Sequence, residues 1–237
     1  MSLWKIPDKD EEKISIIRSA IDREDILPEE ERVLLDGEIL ELKYFIKRYE
    51  GEKAVLQQAN EDRAKTANQY RELFKNAQMY ISHFIQVLQL TVIRGEIRQE
   101  FLQLYGLENI NIKEPYVIPD LTTEEAVLLW GENIIRGESE RMNHGGIPLY
   151  NPAIAKVKVH YELFREIIQS LKIYIQNASR YQSIVEEIRN KATEYIQTIW
   201  TKVDEKYKKE NKDKYRAIQT AYKFGFYNSG EQLNVFN

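Results

Sequence analysis

Cysteine is absent from the sequence, which excludes disulfides, thiolate-bound metals, iron–sulfur clusters and cysteine nucleophiles from this chain. Basic residues are not in excess either, because 34 Lys and Arg face 38 Asp and Glu, leaving a net charge of -4. Binding to a phosphate backbone needs a positive field, so we expect no nucleic-acid partner. The most apolar stretch, residues 80–93, is too short to cross a bilayer and carries Ser82 and His83. We expect no membrane partner.

The N-terminal residues 1–7 lead directly into the acidic segment 8–12. No apolar stretch of signal-peptide length lies there. We therefore expect the chain to be cytoplasmic.

One helical pattern occurs twice. Residues 70–88 align with residues 185–203 at a constant offset, and apolar side chains recur every three or four positions in both. Ala77 and Ala192 fall at equivalent places in the alignment. The sequence therefore predicts an internal duplication of long amphipathic helices.

The fold class predicted from this pattern is all-α. The β-branched residues lie at helical spacing and not at the alternating spacing of strands. We predict an antiparallel four-helix bundle made of two related helical hairpins, with short accessory helices, in a single domain over residues 1–237. The two copies are expected at 28–110 and 151–228, joined by a linker with a short helix at 111–150.

Three sites carry signals for helix starts. Asp8 with Glu11, and Thr122 with Glu125, have the spacing of a capping box. Asn151 precedes a proline, which predicts an N-cap followed by the first helical residue. We expect helices to begin at these three points.

The course of each long helical segment has two interpretations. The apolar pattern weakens at Asn60-Glu61-Asp62 in one copy and at Asn177-Ala178-Ser179 in the other. The chain either turns back at these polar residues or continues as one helix of about 60 residues, roughly 90 Å long, in a coiled-coil arm. We favour the turn, although neither site contains glycine or proline.

Each copy ends in an aromatic residue, a glycine and an apolar residue, and the glycine suits a left-handed helix stop. These terminators are Tyr105-Gly106-Leu107 and Phe224-Gly225-Phe226. Together with the paired helical copies and the start Trp4-Lys5-Ile6-Pro7, they resemble a loose set of uncharacterised bacterial all-helical proteins. The resemblance implies a fold and no chemistry.

The candidate binding site is the loop 137–150, because loops between rigid helices commonly carry binding groups. It contains Arg141, His144 and Tyr150, and the short helix before it contains Trp130. These four are the predicted binding residues. No nucleophile–base pair or phosphate-binding glycine pattern accompanies them, so no catalytic residue is predicted, and a plain connector is the favoured interpretation of the loop.

A metal site would need ligands at regular helical spacing. Di-metal bundles use Glu-x-x-His pairs, but His83 and His160 follow Tyr80 and Val157 at that distance. We predict neither a metal nor another cofactor.

By elimination, we expect a non-catalytic helical scaffold or protein-interaction module that binds a protein partner or self-associates. The alternative is a small-molecule-binding protein or an enzyme with a pocket near Trp130 and the 137–150 loop.

Overall fold

The computed structural model describes residues 4–108 and 117–225, and no strand occurs in these two ranges. The all-α helical bundle is therefore confirmed. Short 3₁₀ helices lie at Glu29–Glu31 and Gln99–Tyr105. The α-helices of these two ranges are α1 (Asp10–Ile26), α2 (Asp36–Ile93), α3 (Glu124–Asn143), α4 (Ile154–Tyr207) and α5 (Lys212–Ala221).

The predicted turns in the long segments are wrong. Helix α2 passes through Asn60-Glu61-Asp62 and α4 passes through Asn177-Ala178-Ser179 without a break. The apolar pattern weakens there because the buried positions hold small side chains, namely those of Ala59, Thr66 and Ala178. Polar residues without a glycine or proline breaker do not end a helix whose buried face continues.

The chain divides into two compact units. The first unit comprises Met1–Ala59 and Ala178–Asn237, and the second comprises Asn60–Asn177. Helices α2 and α4 each contribute one segment to the first unit and another segment to the second unit. This division groups residues differently from the expected copies at 28–110 and 151–228, and those copies stay a prediction.

In the first unit, α1 and α5 pack with the initial part of α2 and the final part of α4. The two long segments are antiparallel, because Glu38 pairs with Lys202 and Glu41 accepts a hydrogen bond from Tyr195. Aliphatic residues of all four helices fill the core. An aromatic cluster closes it, with ring centroids 5.0–6.2 Å apart: Trp4, Trp200 and Phe224.

In the second unit, α3 and the 3₁₀ helix Gln99–Tyr105 pack with the final part of α2 and the initial part of α4. The long segments are again antiparallel, since Phe74 lies 5.4 Å from Phe164 and Tyr80 stacks on His160. Burying apolar area in this way stabilises each unit by about 25 cal/mol per Å².

Two predicted helix starts are shifted by one residue and the third is wrong. Helix α1 has Lys9 at its N-cap, one residue after the predicted cap Asp8, and no side-chain cap hydrogen bond. The carboxylate of Asp10 hydrogen-bonds Arg189 and Tyr49. The Arg189 hydrogen bond chiefly holds the pKa of Asp10 below its usual value. The hydroxyl of Thr123, one residue after the predicted cap, accepts from Ala126 at the start of α3.

Helix α4 begins at Ile154 and not directly after Asn151, which has a φ of 55° in the left-handed region. The predicted glycine stop is confirmed at Gly106, whose φ is 73°. Gly225 serves another purpose, because a Cβ there would lie 2.2 Å from the carbonyl oxygen of Lys5. Phe226, the last residue of that terminator, lies outside the described residues.

Glycine substitutions test the packing of α3. A Cβ at Gly137 would lie 2.7 Å from the carbonyl oxygen of Leu104 and 2.6 Å from the Tyr105 ring, whereas nothing lies within 4 Å of a Cβ at Gly51 in α2. We expect Gly137→Ala to lower the free energy of unfolding by about 1–3 kcal/mol through overpacking. We expect Gly51→Ala to raise it by about 0.5–1 kcal/mol, since alanine costs less backbone entropy. Urea denaturation measures both, and stabilisation by both variants contradicts the close approach at α3.

Candidate functional site

A buried polar cluster in the second unit contains Glu138 and Arg141 of α3. Their side chains are only 1% and 4% exposed, and Arg141 Nη2 lies 2.8 Å from Glu138 Oε1. Arg141 Nε donates to Glu138 Oε2 at 3.0 Å and to the Tyr105 hydroxyl at 2.9 Å. The Tyr105 hydroxyl in turn donates to Glu138. Burial, and then the hydrogen bond to Glu138, raises the pKa of Tyr105 well above its usual value.

This cluster also fixes the connector between α3 and α4. The amide of Leu149 donates to Glu138 Oε1 at 3.2 Å, and Arg141 Nη2 donates to the carbonyl oxygen of Ile147 at 2.8 Å. Arg141 is thus a structural residue whose charge is balanced by a buried carboxylate.

The first unit holds a comparable buried carboxylate, Glu24 of α1, which is 0% exposed. It accepts hydrogen bonds from the Tyr222 hydroxyl and from the amides of Val33 (3.0 Å) and Leu34 (3.1 Å). Burial, and then this carboxylate, raises the pKa of Tyr222 well above its usual value. In both units, a glutamate near the end of a shorter helix binds the connector to the next long helix and a tyrosine hydroxyl.

Neither glutamate is among the residues predicted from the sequence. Glu24 follows Ile17 and Ile21 on the buried stripe of α1, and Glu138 follows Ile134 on that of α3, at spacings of three, four or seven residues. A carboxylate on an otherwise apolar helical stripe is the signal that identifies them, since buried charges require partners.

A cleft of about 650 Å³ lies beside the Glu138–Arg141 cluster of the second unit. It is bounded by the end of α2, the segment after α2 and the connector after α3. Arg141, His144 and Tyr150 line it, so the structure brings together three of the four predicted binding residues. Trp130 does not line the cleft and is partly buried against the apolar core of this unit.

The candidate loop is shorter than expected. Helix α3 continues to Asn143, so the first half of the predicted loop 137–150 is helical. His144 is the exposed C-cap of α3, and its Nδ1 lies 2.7 Å from the carbonyl oxygen of Glu140. Tyr150 is 74% exposed.

The cleft also contains charged groups that sequence analysis did not single out. Arg94 pairs with Glu96 at 2.8 Å, and both are exposed. Arg98 is exposed and forms no ion pair with any residue in the described ranges. Ile97 and the partly buried Phe101 form an apolar part of the cleft wall. The arrangement provides several cations, one carboxylate and a hydrophobic side.

Residues 4–108 and 117–225 contain no group of three or more His, Asp or Glu residues placed to hold a metal ion. None of their helices is long and apolar enough to span a bilayer.

Comparison with known proteins gives no relative: no family model, no curated protein and no solved structure matches the chain.

Proposed function

We propose that this chain is a non-catalytic helical scaffold that associates with a second copy of itself through α4. Support comes from a stripe on the exposed side of this helix, in the second unit. Lys156, Val159, Leu163 and Glu166 follow one another at spacings of three, four and three residues, so they share one helical face. Val159 is 56% exposed and Leu163 is 42% exposed.

The order of these residues makes the stripe self-complementary, and this observation carries the proposal. When two copies of α4 pack antiparallel around a two-fold axis, Val159 faces Leu163 of the second copy, and Lys156 faces its Glu166. Two-fold symmetry repeats each of these contacts, as an isologous interface requires. Lys156 and Glu166 form no ion pair with another described residue, so both charges are available.

Other features agree with a scaffold. The cores of both units are filled by apolar side chains. The buried glutamates of both units are engaged by hydrogen bonds that fix connectors, so neither is available as an acid or base for catalysis.

Mass in solution tests the proposal. We expect light scattering after size exclusion to give twice the 28.1 kDa chain mass. Lys156→Glu alone places like charges opposite each other and is expected to weaken the dimer about tenfold or more, equivalent to about 1.4 kcal/mol. The double variant Lys156→Glu with Glu166→Lys restores opposite charges and should restore the dimer.

Ile175→Glu is the matched control, because Ile175 is an exposed apolar residue of α4 on the side away from the stripe. It should leave the mass unchanged. A monomer at all accessible concentrations, or a dimer indifferent to Lys156→Glu, contradicts the proposal.

A second candidate function is favoured by the cleft of about 650 Å³. It is the small-molecule-binding protein or enzyme expected near Trp130 and the 137–150 loop, with the cleft beside Arg141, His144 and Tyr150 as the binding site. A volume of this size accommodates a small organic ligand.

A further inference from the structure

We infer that the cleft beside Arg141 binds a small aromatic anion, a flat ring that carries a phosphate or carboxylate group. This inference rests on the second proposed function and names the ligand class. It is independent of the dimer, since the cleft contains none of the four stripe residues of α4.

Arg141 offers the cleft a hydrogen-bond donor that no described residue uses. Arg141 is 3% exposed as a residue, and its Nε and Nη2 atoms are engaged by Glu138, Tyr105 and Ile147. No described residue accepts a hydrogen bond from its Nη1, although Arg141 lines the cleft. A guanidinium held rigidly by its other nitrogens presents this donor at a fixed position, where a ligand oxygen can accept its hydrogen bond. Because Glu138 balances the charge of Arg141, the uncompensated positive charge of the cleft comes from Arg98.

Gly146 lies directly beside this donor. A Cβ at Gly146 would lie 2.6 Å from Arg141 Nη1 and 2.9 Å from the carbonyl oxygen of Arg141. Only a residue without a side chain fits here without displacing the guanidinium. The connector therefore passes close to Nη1 at Gly146.

The remaining lining supplies charge and ring contacts. Arg98 adds a cation with no ion-pair partner in the described ranges, and the charge of Arg94 is offset by Glu96. Phe101 and Tyr150 place two aromatic side chains on the same cleft, and flat rings pack favourably against such side chains. A ligand whose anionic group contacts the arginines and whose ring packs against Phe101 and Tyr150 would match both parts of the cleft lining.

Binding is tested with phenyl phosphate, benzoate, inorganic phosphate and the neutral benzyl alcohol as probes. Amide chemical shifts of the ¹⁵N-labelled chain locate the site, and calorimetry gives the affinity. We expect phenyl phosphate or benzoate to shift the amides of Gly145, Gly146 and Ile147. Inorganic phosphate should bind more weakly, and benzyl alcohol should leave these signals in place. The stronger of the two aromatic anions identifies the acidic group.

Variants separate a specific site from general attraction. Arg98→Gln removes an exposed charge and is expected to weaken binding of the aromatic anion about tenfold. Arg71→Gln is the matched control, because Arg71 is an exposed arginine of the same unit outside the cleft; it should leave affinity unchanged. Equal losses in both variants overturn the inference.

The other outcomes are also decisive. Absence of shifts at residues 145–147 with every anion overturns the site, and equal affinity for inorganic phosphate and phenyl phosphate overturns the ring contact. Failure of the cleft to bind any probe, benzyl alcohol included, contradicts the second candidate function. Binding of benzyl alcohol alone contradicts only the ligand class.

Discussion

Replacing Arg141 with methionine is expected to lower the free energy of unfolding by about 3–5 kcal/mol, because the carboxylate of Glu138 is then buried without its cation. The substitution also removes the hydrogen bonds to Tyr105 and to the carbonyl oxygen of Ile147. Urea denaturation monitored by circular dichroism measures the loss. The large expected cost follows from burial, since both charged side chains are almost fully hidden from water.

Arg165→Met is the matched control. Arg165 forms an i,i+3 pair with Glu162 at 2.7 Å, the same spacing as the buried pair, but its side chain is 57% exposed. Exposed pairs contribute about 0–1 kcal/mol, so this variant should be almost neutral. The double variant Arg141→Met with Glu138→Leu should recover part of the loss, because no isolated charge remains. Similar effects of Arg141→Met and Arg165→Met contradict the structural role assigned to the cluster.

Glu24→Leu is expected to destabilise the chain by about 3 kcal/mol or more. The substitution leaves three donors without their acceptor, namely the amides of Val33 and Leu34 and the hydroxyl of Tyr222. Each unsatisfied buried donor costs about 1–3 kcal/mol. Thermal or urea unfolding gives the magnitude.

Two further variants are expected to lower the free energy of unfolding by less than Glu24→Leu does. Tyr222→Phe removes one donor and leaves the carboxylate with both amides, so it should cost less than Glu24→Leu. Glu24→Gln keeps one acceptor oxygen and should fall between the two. If Glu24→Leu is no worse than Tyr222→Phe, the carboxylate does not hold the connector at Val33 and Leu34.

The helical spacing of apolar residues predicted which faces of the helices are buried. Ile17 and Ile21 of α1 are buried where the pattern places them, and so are Ala77 and Ala192, both 0% exposed. Local spacing is informative here because a helix brings residues three and four apart onto one face, whichever partner covers that face. Ile175 is an exception: it follows the spacing but is 48% exposed.

The candidate site was predicted only in part. Arg141, His144 and Tyr150 line one cleft, because they lie close together along the chain around the end of α3. Arg94 and Arg98 lie about 50 residues earlier, directly before the 3₁₀ helix Gln99–Tyr105, and they reach the same cleft because this helix packs against α3. No local pattern encodes that approach, and none places Trp130 outside the cleft.

The amino-acid sequence by itself determined the all-α class, the buried faces of the helices and the glycine stop at Gly106, because these depend on interactions between residues close along the chain. The tertiary structure alone decided that α2 and α4 continue through Asn60 and Asn177, since small buried side chains kept the helical face covered where the apolar pattern fades. It also decided the roles of Glu24 and Glu138. A buried carboxylate is stable only where distant donors converge on it, and that convergence exists only after the chain has folded.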